Sequence, residues 1–134
     1  MKSGKIMSAR IFHEGGGTWQ LHVTGVLKKS ELDSAQDLAR NEISSAGPIK
    51  VLLVLDAFEG WERGGKWDDM SFMESHGDQV ESIAIVADPN WETEAMMFVG
   101  AGFRKTRVKF FPTGQAAPAR AWLAASTTKG SRSI

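Results

Sequence analysis

The chain has 134 residues, enough for one domain of ordinary size with a buried core. Its 16 basic and 16 acidic residues cancel, which removes the electrostatic case for a nucleic-acid partner. Cysteine is absent, excluding disulfides, thiolate catalysis and Cys-ligated zinc, and no run approaches the roughly 20 apolar residues that span a bilayer.

Residues 6–12 alternate weakly, with Met7, Ala9 and Ile11 opposite Ser8 and Arg10, and His13 to Gly17 reads as a turn. Thr18 to Thr24 alternates strictly, placing Trp19, Leu21 and Val23 on one face and His22 on the other. This predicts an antiparallel hairpin with one buried face. Ser30 is the expected N-cap of the next helix, with Glu31 and Asp33 in the first turn, where the helix dipole favours acids. Leu32, Ala35, Ala39 and Ile43 recur at three- and four-residue steps and form its apolar face, and Gly47-Pro48 stops it.

Val51 to Leu55 is an unbroken aliphatic run, the pattern of a parallel strand covered on both faces. Asp56 ends it, and Phe58-Glu59-Gly60-Trp61 is expected in the loop beyond. A short helix over 70–76, capped by Asp68 or Asp69, precedes a strand from Val80 to Asp88. Asp88-Pro89-Asn90 reads as a cap with proline at the first helical position, opening a helix from Trp91 to Val99. A strand over 107–111 and a helix within 113–126 complete the chain, and 127–134 is expected to be a disordered tail. The order is β-β-α-β-α-β-α-β-α, an α/β domain over 1–126: an N-terminal antiparallel hairpin joined to a mostly parallel five-stranded sheet with helices packed on it.

This order, with its particular residues, resembles the SpoIIAA-like family, small α/β domains of the STAS and CRAL-TRIO-like group. The residues behind the resemblance are Gly25 with Ser30-Glu31, Leu53 to Asp56 with Phe58 to Trp61, and Trp67-Asp68-Asp69. Further along come His76, Ile83 to Val86, Asp88 with Trp91, Val108 to Phe111, and Ala121-Trp122-Leu123. The resemblance implies a non-enzymatic module for ligand binding or membrane association. STAS anti-sigma-factor antagonists carry a phosphorylatable serine at a helix start soon after a strand. Here Ser71 and Ser75 lie too far from strand 51–56, and Ser75 falls near a helix end, where phosphate is unfavourable.

Large, adaptable apolar groups concentrate at one place in this order. Phe58 and Trp61 follow a strand end, Trp67, Met70 and Met73 share a helix-like spacing, and Trp91 starts the next crossover helix. Residues 95–99 make that helix apolar all round. The expected site is therefore an apolar pocket or membrane-facing patch formed by Phe58, Trp61, Trp67, Met70, Trp91 and Met97. Asp56 is its polar anchor, capping the loop or accepting an indole N–H bond. The competing readings are plain core closure at the sheet edge, a homodimer interface and a STAS-type regulatory interaction surface. A small hydrolase or lyase using Asp56, Asp69 and His76 is a further alternative. His13, His22 and His76 show no metal-ligand spacing, and the glycine clusters lack the strand–turn–helix setting of phosphate loops, so no metal or cofactor is expected. The expected ligand is a small apolar molecule or a lipid. With no apolar signal region at the start, the expected location is the cytoplasm, peripherally at a membrane if the apolar patch is exposed.

Overall fold

The computed structural model describes residues 9–15, 17–63, 79–102 and 106–125. Five strands form one sheet in sequential order. β1 is Ala9–Gly15 and β2 is Thr18–Leu27, and they pair antiparallel, with Ile11 opposite Leu21 and His13 opposite Trp19. β3 (Ile49–Trp61), β4 (Val80–Ala87) and β5 (Arg107–Pro112) then add one after another, each parallel to its predecessor. Three helices are described: α1 (Lys29–Ala46), α2 (Glu92–Gly102), entered through a 3-10 turn at Pro89–Trp91, and α3 (Ala116–Ala125). The helix expected at 70–76 and the tail at 127–134 lie outside the described residues.

Parallel crossovers that always step toward the same sheet edge and keep the right-handed sense place their helices on one face. The burial pattern agrees. Val51, Leu53 and Leu55 of β3 join Val23 of β2 and Ile83 and Ile85 of β4 under α1 and α2. The alternate residues Leu52, Ala84 and Val86 pack on the other face with Phe111 and with Ala119 and Leu123 of α3. Leu52, Ala84 and Ile85 are fully buried, so the unbroken aliphatic run does mark a strand covered on both sides.

Several boundaries differ from the sequence reading, three of them with a clear physical cause. β1 continues through His13 to Gly15, which the glycines suggested as a turn, because His13 pairs with Trp19 and Gly15 with Thr18, with Glu14 as the extra residue of a bulge between them. α1 starts one residue before Ser30. Lys28 is the N-cap, with no side-chain cap bond of its own, and the Lys29 N–H is instead accepted by Glu62 Oε1 at 2.9 Å. The third difference shapes the site: β3 does not stop at Asp56 but runs on to Trp61. The partner of Thr24 is Asp56, that of Gly25 is Phe58 and that of Val26 is Gly60, so Ala57 and Glu59 are extra residues opposite β2. Two bulges in succession keep the strand paired while breaking its alternation. Ala57 takes a positive φ of 53° and Gly25 opposite takes 69°, which the glycine accepts without a side-chain penalty.

Candidate functional site

The bulges decide which way the exit residues face. Up to Asp56 the alternation places even-numbered residues on the α3 face. The extra residue Ala57 resets it, and Phe58 turns onto the α1–α2 face, where it is buried. Trp61 follows it there. Trp91, fixed at the end of the 3-10 turn, and Phe98 of α2 close around the pair. Phe58 lies 5.0 Å from Trp61 at 89° and 4.9 Å from Trp91 at 73°, measured between ring centroids and planes. Trp61 lies 5.9 Å from Trp91 at 73° and 5.5 Å from Phe98 at 53°. These edge-on and tilted geometries suit the ring quadrupoles, and such pairs are worth about 0.5–1.5 kcal/mol each beyond their buried area. Gly60 beside them is called for by its φ of 114°, which L-residues avoid; a Cβ there would make only ordinary contact with Trp91 Cη2, at 3.6 Å.

The turn that delivers Trp91 is built as its sequence predicts. Asp88 accepts a 2.8 Å bond from the Asn90 N–H, and Pro89 supplies the first position.

Beside this cluster, between the sheet and the two helices, is a cavity of about 120 Å³. Leu32, Ala35 and Ala39 of α1 line one side, and Ala95, Phe98 and Val99 of α2 the other. The sheet supplies Val51, Leu53, Leu55 and Ile83, with Trp19 and Trp61 among the wall residues as well. Among the described residues, none of the lining side chains is ionisable. The indole Nε1 atoms of Trp19 and Trp61 are shielded from solvent and have no hydrogen-bond partner among the described residues.

Phe58, Trp61 and Trp91 come together, but the space that Phe58 and Trp61 border extends along the sheet face, not outside its carboxyl edge. Met97 does not join them. It is 67% exposed on the far side of α2, so the all-round apolar character of that helix leaves one large side chain in solvent. Trp67, Met70, Met73, Asp69, His76, Ser71 and Ser75 lie outside the described residues. Asp56 is not the anchor of the cluster. As the last residue before the bulge it projects from the α3 face, exposed, 3.4 Å from His22 Nε2, and neither indole reaches it. His13 stacks against Trp19 at 4.5 Å. Among the described residues no group of three His, Asp or Glu side chains could hold a metal ion. Nor is any described helix long and apolar enough to cross a membrane.

A family model described as SpoIIAA-like matches residues 18–124, which run from the first residue of β2 into the last turn of α3. The chain belongs to the SpoIIAA-like family. A solved structure supports the same fold for this SpoIIAA-like domain: an uncharacterized protein of the DUF3478 family with a SpoIIAA-like fold, from Shewanella loihica PV-4. That protein is 19% identical, with a TM-score of 0.68 over 92% of this chain and 99% of its own. No curated protein matches the chain significantly. The mixed five-stranded sheet, antiparallel between β1 and β2 and parallel elsewhere, is the SpoIIAA-like architecture.

The orphan indoles and the cavity were not legible in the sequence. Trp19 reads there as a core residue of an alternating strand, and nothing local to Leu32, Ala35 and Ala39 signals that small residues on α1 leave space over β3.

Proposed function

We propose that this SpoIIAA-like domain is a non-enzymatic binding module that takes a small apolar ligand into the cavity between the sheet and helices α1 and α2. The observation behind this reading is the cavity itself: about 120 Å³, walled by aliphatic and aromatic side chains with Gln36 at one side, in an interior where voids larger than a water are few. A space so lined favours an apolar guest over water. A guest burying about 150–200 Å² would gain roughly 4–5 kcal/mol at ~25 cal/mol per Å². Ordering costs are subtracted from that, so the affinity for a simple hydrocarbon would be about 1 mM or weaker.

The cavity is favoured over a membrane patch because, of the large exposed apolar residues that are described, Phe12 and Leu38 share a depression with the charged Arg10 and Glu31, while Val26 and Met97 stand on other elements.

The test fills the space. Ala35 is buried on α1 and lines the cavity, so Ala35→Leu should leave stability unchanged or raise it by about 1 kcal/mol while abolishing the methyl NMR shifts caused by benzene. A loss of about 1–3 kcal/mol in urea unfolding, the usual result of overpacking, would show that there is no space to fill.

A further inference from the structure

The walls of the cavity specify more than apolar character. Its volume of about 120 Å³ is close to that of engineered cavities of about 150 Å³ that hold benzene, which suits a body of about six to eight non-hydrogen atoms. No described lining residue carries a charge, so a carboxylate entering it would lose its hydration without gaining a counter-ion. Two lining residues, Trp19 and Trp61, bring buried N–H donors that no described group accepts. Buried donors are nearly always paired, and one left open is a place where an acceptor gains the most.

We infer that the ligand is a small neutral molecule with one hydrogen-bond acceptor, a carbonyl or ether oxygen, received by the Trp61 indole N–H. This rests on the cavity being a ligand site. Trp61 is preferred to Trp19 because Phe58, Trp91 and Phe98 hold its ring on three sides, whereas the described ring partner of Trp19 is His13, itself exposed at the sheet edge. The backbones of the two residues lie far apart: Trp19 and Leu27, the partner of Trp61, are eight positions apart on β2, roughly 25 Å at ~3.3 Å per residue, so a small ligand beside one indole is remote from the other residue. Neither N–H is open to a water-sized group in the unliganded arrangement, so the acceptor reaches Trp61 by a small tilt of the indole. That tilt exchanges an unpaired donor for a paired one.

The experiment compares methylcyclohexane, cyclohexanone and cyclobutanecarboxylate, which are matched in size, by NMR titration of the protein. The five tryptophans give five indole N–H signals, and Trp61→Phe assigns the one required. Cyclohexanone should move the Trp61 N–H signal downfield, while methylcyclohexane shifts cavity methyl groups and leaves that signal in place. Replacing the Trp61 indole by the isosteric benzothiophene keeps both rings and removes the N–H. It should weaken cyclohexanone about three- to tenfold, the worth of one neutral hydrogen bond, and leave methylcyclohexane unchanged. If both neutral probes bind and the isostere weakens neither, or if the Trp19 signal moves instead, the assignment to Trp61 is overturned and the cavity stands. A carboxylate that binds as tightly as the ketone overturns the neutral class. If no probe binds, the cavity reading fails together with the inference.

Discussion

Ala57 has the only positive φ of a non-glycine residue among those described, and the arrangement of the cluster turns on it. An L-residue in the left-handed region costs about 1–2 kcal/mol, and here the strain accompanies an extra residue that lets Asp56 stay on one face while Phe58 enters the other. Nothing in Asp56-Ala57-Phe58 announces this: alanine is not a turn residue, and the aspartate before it reads most simply as a strand end. The aromatic exit is therefore visible as a group of residues but not as a continuation of the strand, and Asp56, expected as the polar anchor of that group, instead projects from the α3 face. Exchange of Ala57 for glycine relieves the strain but adds freedom to the unfolded chain. Ala57→Gly should therefore hold or raise stability by up to about 1 kcal/mol, and Ala57→Val should lower it by about 1 kcal/mol or more, both read from urea unfolding. A glycine variant that is clearly less stable would mean that this φ carries no strain.

Among the elements, those with local punctuation were legible. Gly47, with a φ of 94° and its N–H bonded to the Ile43 carbonyl at 2.9 Å, ends α1, and Asp88-Pro89-Asn90 starts the turn before α2. What was not legible depends on partners distant in sequence. α1 begins at a cap that has no side-chain bond of its own, and the Glu62 carboxylate, 33 positions downstream, accepts the Lys29 N–H, while the Glu62 N–H bonds the Leu27 carbonyl at 2.9 Å. Glu62 therefore joins the end of the bulged strand to the start of the helix that walls the cavity, and its charge suits the helix N-terminus. Glu62→Ala should cost about 1 kcal/mol, the usual loss for a cap, with Glu62→Gln recovering part of it. Equal stability of Glu62→Ala and wild type by chemical denaturation would show that water replaces the carboxylate at no cost. α3 is tied by similarly remote contacts. Lys50 Nζ donates to the Leu123 carbonyl at 2.8 Å, and Arg120 forms two 3.0 Å bonds with Glu14, which raise the guanidinium pKa further and hold it charged.

In the molecule as a whole, hydrophobic patterning was sufficient for the architecture. An alternating hairpin, an unbroken aliphatic strand and helices between later strands lead to the SpoIIAA-like sheet, because each pattern can be satisfied only with one face or both faces covered. Patterning does not report volume. Leu32, Ala35 and Ala39 on α1 and Ala95 on α2 all occupy proper core positions, yet with so many small side chains facing Val51, Leu53 and Leu55 they leave about 120 Å³ unfilled. Whether that space accepts an apolar guest is most directly tested with xenon, which enters dry apolar cavities and needs no hydrogen bond. A crystal of the protein under xenon pressure should show one ordered atom bounded by Val51, Leu53, Ala95 and Phe58, and Ala35→Leu should remove it. Ordered water in that position, or side chains closed together with no xenon between them, would contradict the proposed binding site.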